Sequence, residues 1–165
     1  GTDPGEIWVR GANLFSGYWP DGRDGPDAEG WWPTADLAYA DEDGDLFLVD
    51  RLRELVLVSG FNVYPREVEH VLGEHPAVDE AAALGAPHPY TGETVKAYVV
   101  LKPGADVTVD ELIAHCEQRL ARFKRPTAIV FTDELPHSVT GKIRKSLLRD
   151  GLPESVGGSP DAATA

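Results

Sequence analysis

Methionine is missing from all 165 residues, and cysteine occurs once, as Cys116. Without an initiator methionine, the chain reads as a piece of a longer protein. A single cysteine excludes an internal disulfide and suits a reducing, cytoplasmic setting. No apolar run approaches the roughly 18–20 residues of a membrane-spanning helix, and no basic-then-apolar signal segment opens the chain. A basic surplus is missing too. The formal charge of −13 argues against general nucleic-acid binding, which needs a cationic footprint. Metal-ligand spacing is absent among the histidines and Cys116. Asp41, Asp43 and Asp45 imitate the start of a calcium loop, but Leu46 stands where that loop needs glycine and Leu52 where it needs glutamate. A Walker-type phosphate loop is excluded because Pro136 takes its first glycine position and Ile143 follows Lys142.

What is present is an ordinary globular composition, 42% hydrophobic and 26% charged, with an uneven charge. Residues 1–50 hold twelve acids and two bases, whereas Arg119–Arg149 carries a net +6. A local basic segment in an acidic chain suits a small anion such as a nucleotide phosphate, or a solvated helix face. Residues 6–19 read as short strands and turns, and residues 20–30 as a polar loop. Residues 36–50 and 55–64 read as hairpins turning at Asp43-Gly44 and Ser59-Gly60. Pro65 opens a helix to about His75 with Val68, Val71 and Leu72 on one face. Residues 78–86, 94–101 and 127–132 read as strands. Thr108 and Glu111 form a capping box before a helix whose stripe is Val109, Leu112, Ile113, Cys116 and Leu120. That stripe makes Cys116 a core residue. Residues 142–149 read as a short terminal helix, and 151–165 as a disordered tail. The composition shifts near residue 50. This places a boundary at 50–53, with an incomplete β-rich segment over 1–50 and a small α+β domain of about a hundred residues over 51–150.

Three stretches carry a resemblance: Gly5–Trp19 (GEIWVRGANLFSGYW), Gly30–Pro65 (GWWPTADLAYADEDGDLFLVDRLRELVLVSGFNVYP) and Leu135–Leu147 (LPHSVTGKIRKSL). Together they resemble the later motifs of the adenylate-forming superfamily, in that family's order and rough spacing. The run SGFNVYPREVE is more similar to fatty-acyl and aryl-CoA ligases than to acetyl-CoA synthetases. The resemblance implies a C-terminal lid domain with a central antiparallel sheet flanked by helices, preceded by the β-rich end of a larger N-terminal domain. It implies a two-step reaction. A carboxylate attacks the α-phosphate of ATP, held with Mg²⁺ mainly by the upstream domain, and pyrophosphate leaves. The thiol of CoA then displaces AMP. The lid rotates between the steps.

The same resemblance assigns roles. Lys142, in a pattern of Pro136, four residues, then Gly141-Lys142, implies the adenylation lysine bridging carboxylate and phosphate. Asp36 in Thr34-Ala35-Asp36 implies a ribose-binding carboxylate assisted by Arg51, with alanine standing where the family has glycine. Arg53 falls at the hinge, usually lysine or aspartate. Ser59, Gly60 and Phe61 imply the loop lining the pantetheine channel after rotation. The phosphate loop and acyl pocket are absent, so this chain alone is expected to be inactive. The partners implied are its own N-terminal domain, a small carboxylate, ATP and CoA. Three alternatives stay open: a member that loads a carrier-protein thiol, one that makes only the adenylate, and a lid regulated by a lysine acetyltransferase and deacetylase acting on Lys142 beside the basic Arg144 and Lys145.

Overall fold

The computed structural model describes residues 4–149; the expected tail over 151–165 lies outside them. β1 (Gly5–Arg10), β2 (Trp31–Ala40) and β3 (Leu46–Arg51) form an antiparallel sheet in chain order. The β2–β3 turn is longer than the expected two-residue turn at Asp43-Gly44. Asp41 and Asp45 close it backbone to backbone, and the Asp41 carboxylate accepts the N–H groups of Asp43 and Asp45. Aspartate favours such side-chain-closed turns.

A 3-10 turn over Leu52–Glu54 leads into the second unit, which contains β4 (Val56–Val58), β5 (Phe61–Val63), α1 (Pro65–Gly73), β6 (Val78–His88), β7 (Gly92–Leu101), α2 (Val109–Glu117), β8 (Ala128–Phe131) and α3 (Lys145–Arg149). β7 is its centre. It pairs with β6 along one edge, and with β4 and β8 on the other. The sheet departs from the expected antiparallel pattern in one place: β8 runs parallel to β7, from Lys96↔Ala128 to Val99↔Phe131. The chain reaches β8 through α2, and a crossover of that kind returns a strand in the parallel sense.

Alternation along β7 divides the core. Val95, Ala97 and Val99 face α1 and α2 and pack with Val68, Leu72, Leu112 and Cys116. Tyr98 faces the other way and packs with Ala82, Leu84, Leu135 and Leu148. α1 ends at Gly73, two residues before the predicted end, and buries Val68, Val71 and Leu72 as the spacing requires. Leu120 lies beyond the end of α2 yet is buried. Cys116 is fully buried, and burial pushes its thiol up to about 11 against the opposing pull of Arg119. The last helix begins at Lys145, three residues later than the sequence suggests, so Lys142 stays in a loop. Among the described residues no helix is long and apolar enough to cross a membrane.

Candidate active-site cleft

A cleft of about 520 Å³ opens where β2 and β3 meet α1 and the loop before α3. Asp36, Arg51, Gly141 and Lys142 all line it. Asp36 reaches it through a bulge. Between the pairs Glu6↔Leu37 and Trp8↔Pro33, three residues of β2 (Thr34, Ala35, Asp36) oppose Ile7 alone. Bulges re-aim side chains in this way. The bulge is held by Thr34 Oγ1 donating to the Ile7 carbonyl (2.9 Å), Asp36 N donating to Thr34 Oγ1 (3.1 Å) and Ala35 N donating to Glu6 Oε1 (3.1 Å). Ala35 sits at φ 60°. The left-handed geometry that favours glycine is therefore present with alanine in it.

Asp36 and Arg51 are direct cross-strand partners, with Arg51 Nε 3.2 Å from Asp36 Oδ1. Solvent reaches both side chains, so the pair contributes at most about 1 kcal/mol and opens readily to a ligand. Next to it, Asp50 is buried. Its carboxylate accepts the Arg51 N–H (2.8 Å) and the Arg66 N–H in the first turn of α1 (3.2 Å). One acid thus satisfies a helix-start donor and ties the strand pair to the following unit.

Lys142 is exposed on a tight loop. Ser138 N donates to the Lys142 carbonyl (2.8 Å), Lys142 N donates to Ser138 Oγ (3.2 Å) and Arg144 N donates to the Pro136 carbonyl (2.7 Å). Gly141 turns the loop at φ 79°. Among the described residues the Lys142 ammonium makes no ion pair.

The other residues singled out in the sequence lie elsewhere. Arg53 is exposed in the 3-10 turn and lines an adjoining hollow with Tyr18, Trp32 and Pro33. Ser59 (φ 51°) and Gly60 (φ 83°) make the two-residue turn between β4 and β5. Ser59 N donates to the Thr91 carbonyl (2.9 Å), which fastens that turn to the β6–β7 turn. Phe61 stacks on Phe123 with ring centroids 4.9 Å apart. None of these four residues lines the Lys142 cleft.

Sequence reasoning missed a triad. Lys145 Nζ lies 2.6 Å from Glu54 Oε2 and 2.7 Å from Glu69 Oε1, and its side chain is only 14% exposed. Burial alone would lower its pKa; the Glu69 charge and the hydrogen bonds to Glu54 and Glu69 outweigh that and leave it raised. Lys145 is therefore no part of an exposed basic flank, as the sequence suggested. The cleft lining holds four cations (Arg51, Arg66, Lys142, Lys145) and four carboxylates (Asp36, Asp50, Glu54, Glu69). It is locally balanced within a chain of net −13.

Residues 67–142 match the family model described as the AMP-binding enzyme C-terminal domain. That stretch carries the C-terminal domain of AMP-binding enzymes, and the small α+β fold matches the C-terminal domain of adenylate-forming enzymes. More narrowly, the chain is similar to long-chain-fatty-acid–CoA ligases. It is 48% identical to one from Yersinia pestis over 97% of this chain and 28% of the relative, and 44% identical to one from Bacillus subtilis over 88% and 27%. It therefore spans little more than a quarter of these relatives. ATP-bound MatB from Rhodopseudomonas palustris superposes with a TM-score of 0.84 at 37% identity, over 90% of this chain and 30% of that one. The o-succinylbenzoate CoA synthetase of Bacillus subtilis, solved with its acyl-adenylate, gives 0.80 at 36% identity over 95% and 32%.

Proposed function

We propose that this chain is the catalytic lid, with the adjoining end of the large domain, of an ATP-dependent, AMP-forming fatty-acyl-CoA ligase acting in the cytoplasm. The observation that carries the reading is the meeting of Asp36 and Arg51, from the β2–β3 pair, with Lys142, about ninety residues further along the chain, in one cleft. Asp36 would accept hydrogen bonds from the ribose hydroxyls once Arg51 swings from it, and Arg51 would assist it in holding the nucleotide there. Lys142, a cation unpaired among the described residues on a glycine-turned loop, would lie against the α-phosphate as the carboxylate attacks and charge builds toward the leaving pyrophosphate. Each cleft carboxylate is already engaged, and no group of three metal ligands occurs among the described residues. Mg²⁺ would therefore arrive on the nucleotide, supplying charge neutralisation there.

The Ser59–Phe61 turn, outside this cleft, would line the thiol channel after rotation about Arg53. Gly60 meets nothing within 4 Å of an added Cβ, so the turn is open to a ligand passing close to the backbone. The homologues favour CoA as acceptor and a long-chain acid as substrate.

The test is a split assay on the full-length enzyme with Lys142→Ala. Carboxylate-dependent ATP–pyrophosphate exchange is expected to fall about a hundredfold to a thousandfold, while CoA thioester formation from preformed acyl-adenylate stays within about threefold. Unchanged exchange would make Lys142 a surface lysine and sink the reading.

A further inference from the structure

Lys142 and Lys145 are three residues apart and live in opposite surroundings. Lys142 is exposed and, among the described residues, unpaired; Lys145 is held by Glu54 and Glu69. The three members of this triad come from the 3-10 turn that holds Arg53, from α1 and from the start of α3. Glu69 has a second task, accepting the Ala83 N–H on the outer edge of β6 at 2.8 Å. α3 has an anchor besides the triad. Leu148 is fully buried on the opposite face of the sheet, and Tyr98 Oη donates to its carbonyl at 3.3 Å. An anchored helix leaves the charge of Lys145 to be explained.

The explanation lies in the cleft. Glu54 and Glu69 line the same space as Lys142. Stripped of Lys145, they would present two uncompensated carboxylates there. Lys142, which with Arg66 is a cleft cation without an ion pair among the described residues, is a flexible one that can be drawn to them. Once drawn to them it would no longer lie free for an incoming phosphate, and the bare acids would repel the polyanion as well.

We propose that Lys145 is a positioning residue for the adenylation step: by occupying Glu54 and Glu69, it keeps Lys142 free for the nucleotide. The inference rests on the ligase reading above and goes beyond it, because it assigns the triad a part in one half-reaction only. The thiol-transfer step, which the reading places at the Ser59–Phe61 turn, has no need of a free Lys142 and is untouched.

The experiment uses the full-length enzyme with three variants, each checked for thermal melting: Lys145→Met, Lys145→Arg, and Lys145→Met combined with Glu54→Gln and Glu69→Gln. Glutamine keeps an acceptor for the Ala83 N–H while removing the charge. ATP–pyrophosphate exchange is measured against ATP concentration, and thioester formation from preformed acyl-adenylate is measured separately. Lys145→Met is expected to lose about 10- to 100-fold in exchange kcat/KM with thioester formation kept within about threefold. Lys145→Arg is expected to retain exchange. The triple variant is expected to recover to within about fivefold of wild type, because no bare acid remains to capture Lys142. Should Lys145→Met fail to fold, a folded triple variant decides alone. The inference is overturned if exchange in Lys145→Met equals wild type, if both steps fall together, or if the folded triple variant lacks exchange. A wild-type enzyme with no exchange on any fatty acid would overturn the ligase reading itself, a separate result.

Discussion

Ala35 holds a left-handed backbone (φ 60°) in the middle of the bulge that aims Asp36. A Cβ in that region costs roughly 1–2 kcal/mol, which a glycine avoids at the expense of a more disordered unfolded chain. Ala35→Gly is therefore expected to raise stability by about 0.5–1 kcal/mol, read by urea unfolding of this chain. A drop in stability would mean that the bulge bonds relax the strain already. The sequence alone made this position visible, since the resemblance has glycine there. It did not make the Lys145 triad visible. Glu54 lies 91 residues before Lys145, and no local pattern pairs a lysine in a terminal basic run with acids so distant. Asp50 was hidden for a similar reason. An aspartate closing a strand in an acidic segment reads as surface, and only the arrival of α1 buries it.

The helix starts show how far local chemistry reaches. The Thr108/Glu111 capping box forms in full: Thr108 Oγ1 accepts the Glu111 N–H, and Glu111 accepts the Thr108 N–H at 2.8 Å. Thr108→Ala is expected to cost about 1 kcal/mol in chemical unfolding, with Thr108→Ser nearly neutral. No cost would show that packing through Leu112 and Cys116 alone sets α2. The same box carries a pH dependence. Hydrogen bonds from the Thr108 backbone and then its side chain hold the Glu111 carboxyl below its ordinary 4.5. In the acid window the unfolded chain binds the extra proton, so the contribution is present above pH 4.5 and is lost as pH falls through the lowered value. The stability gap between wild type and Glu111→Ala should accordingly narrow below pH 4.5; a gap independent of pH would rule out an ionic box. α1, α2 and the β4–β5 hairpin were legible because their signals are local: period, cap, turn residue. The parallel sense of β8 was not, since a four-residue strand carries no mark of its partner's direction.

At the scale of the molecule the two units differ in what they bury. Within β1–β3 the buried residues are Leu37, Ala38 and Asp50, and Trp8, Leu46 and Leu48 are 48%, 59% and 62% exposed. The unit from β4 to α3 holds two packed clusters. Apolar burial is the main stabilising contribution, so opening of the first unit should cost far less. Hydrogen exchange on this chain is expected to protect amides of Val68, Leu72, Ala83 and Val99 more than those of Trp8, Ala38 and Leu48 by about a hundredfold or more. Equal protection would show one cooperative unit. In the full-length enzyme of our reading, the large domain would cover these exposed apolar side chains, and protection of β1–β3 should rise.

What the sequence determined by itself was what adjacent residues settle among themselves: the two longer helices and their apolar faces, the turn at Ser59-Gly60, the core place of Cys116, and the motif residues that mark the superfamily. These depend on periodicity, capping and backbone preference, all acting within a few residues. Tertiary structure decided what depends on distance. It brought Asp36, Arg51 and Lys142 to one cleft, turned β8 parallel, buried Asp50 and set Lys145 between two acids. Electrostatic and packing partners are chosen by the path of the whole chain, and a charge takes its meaning from the partner it meets there.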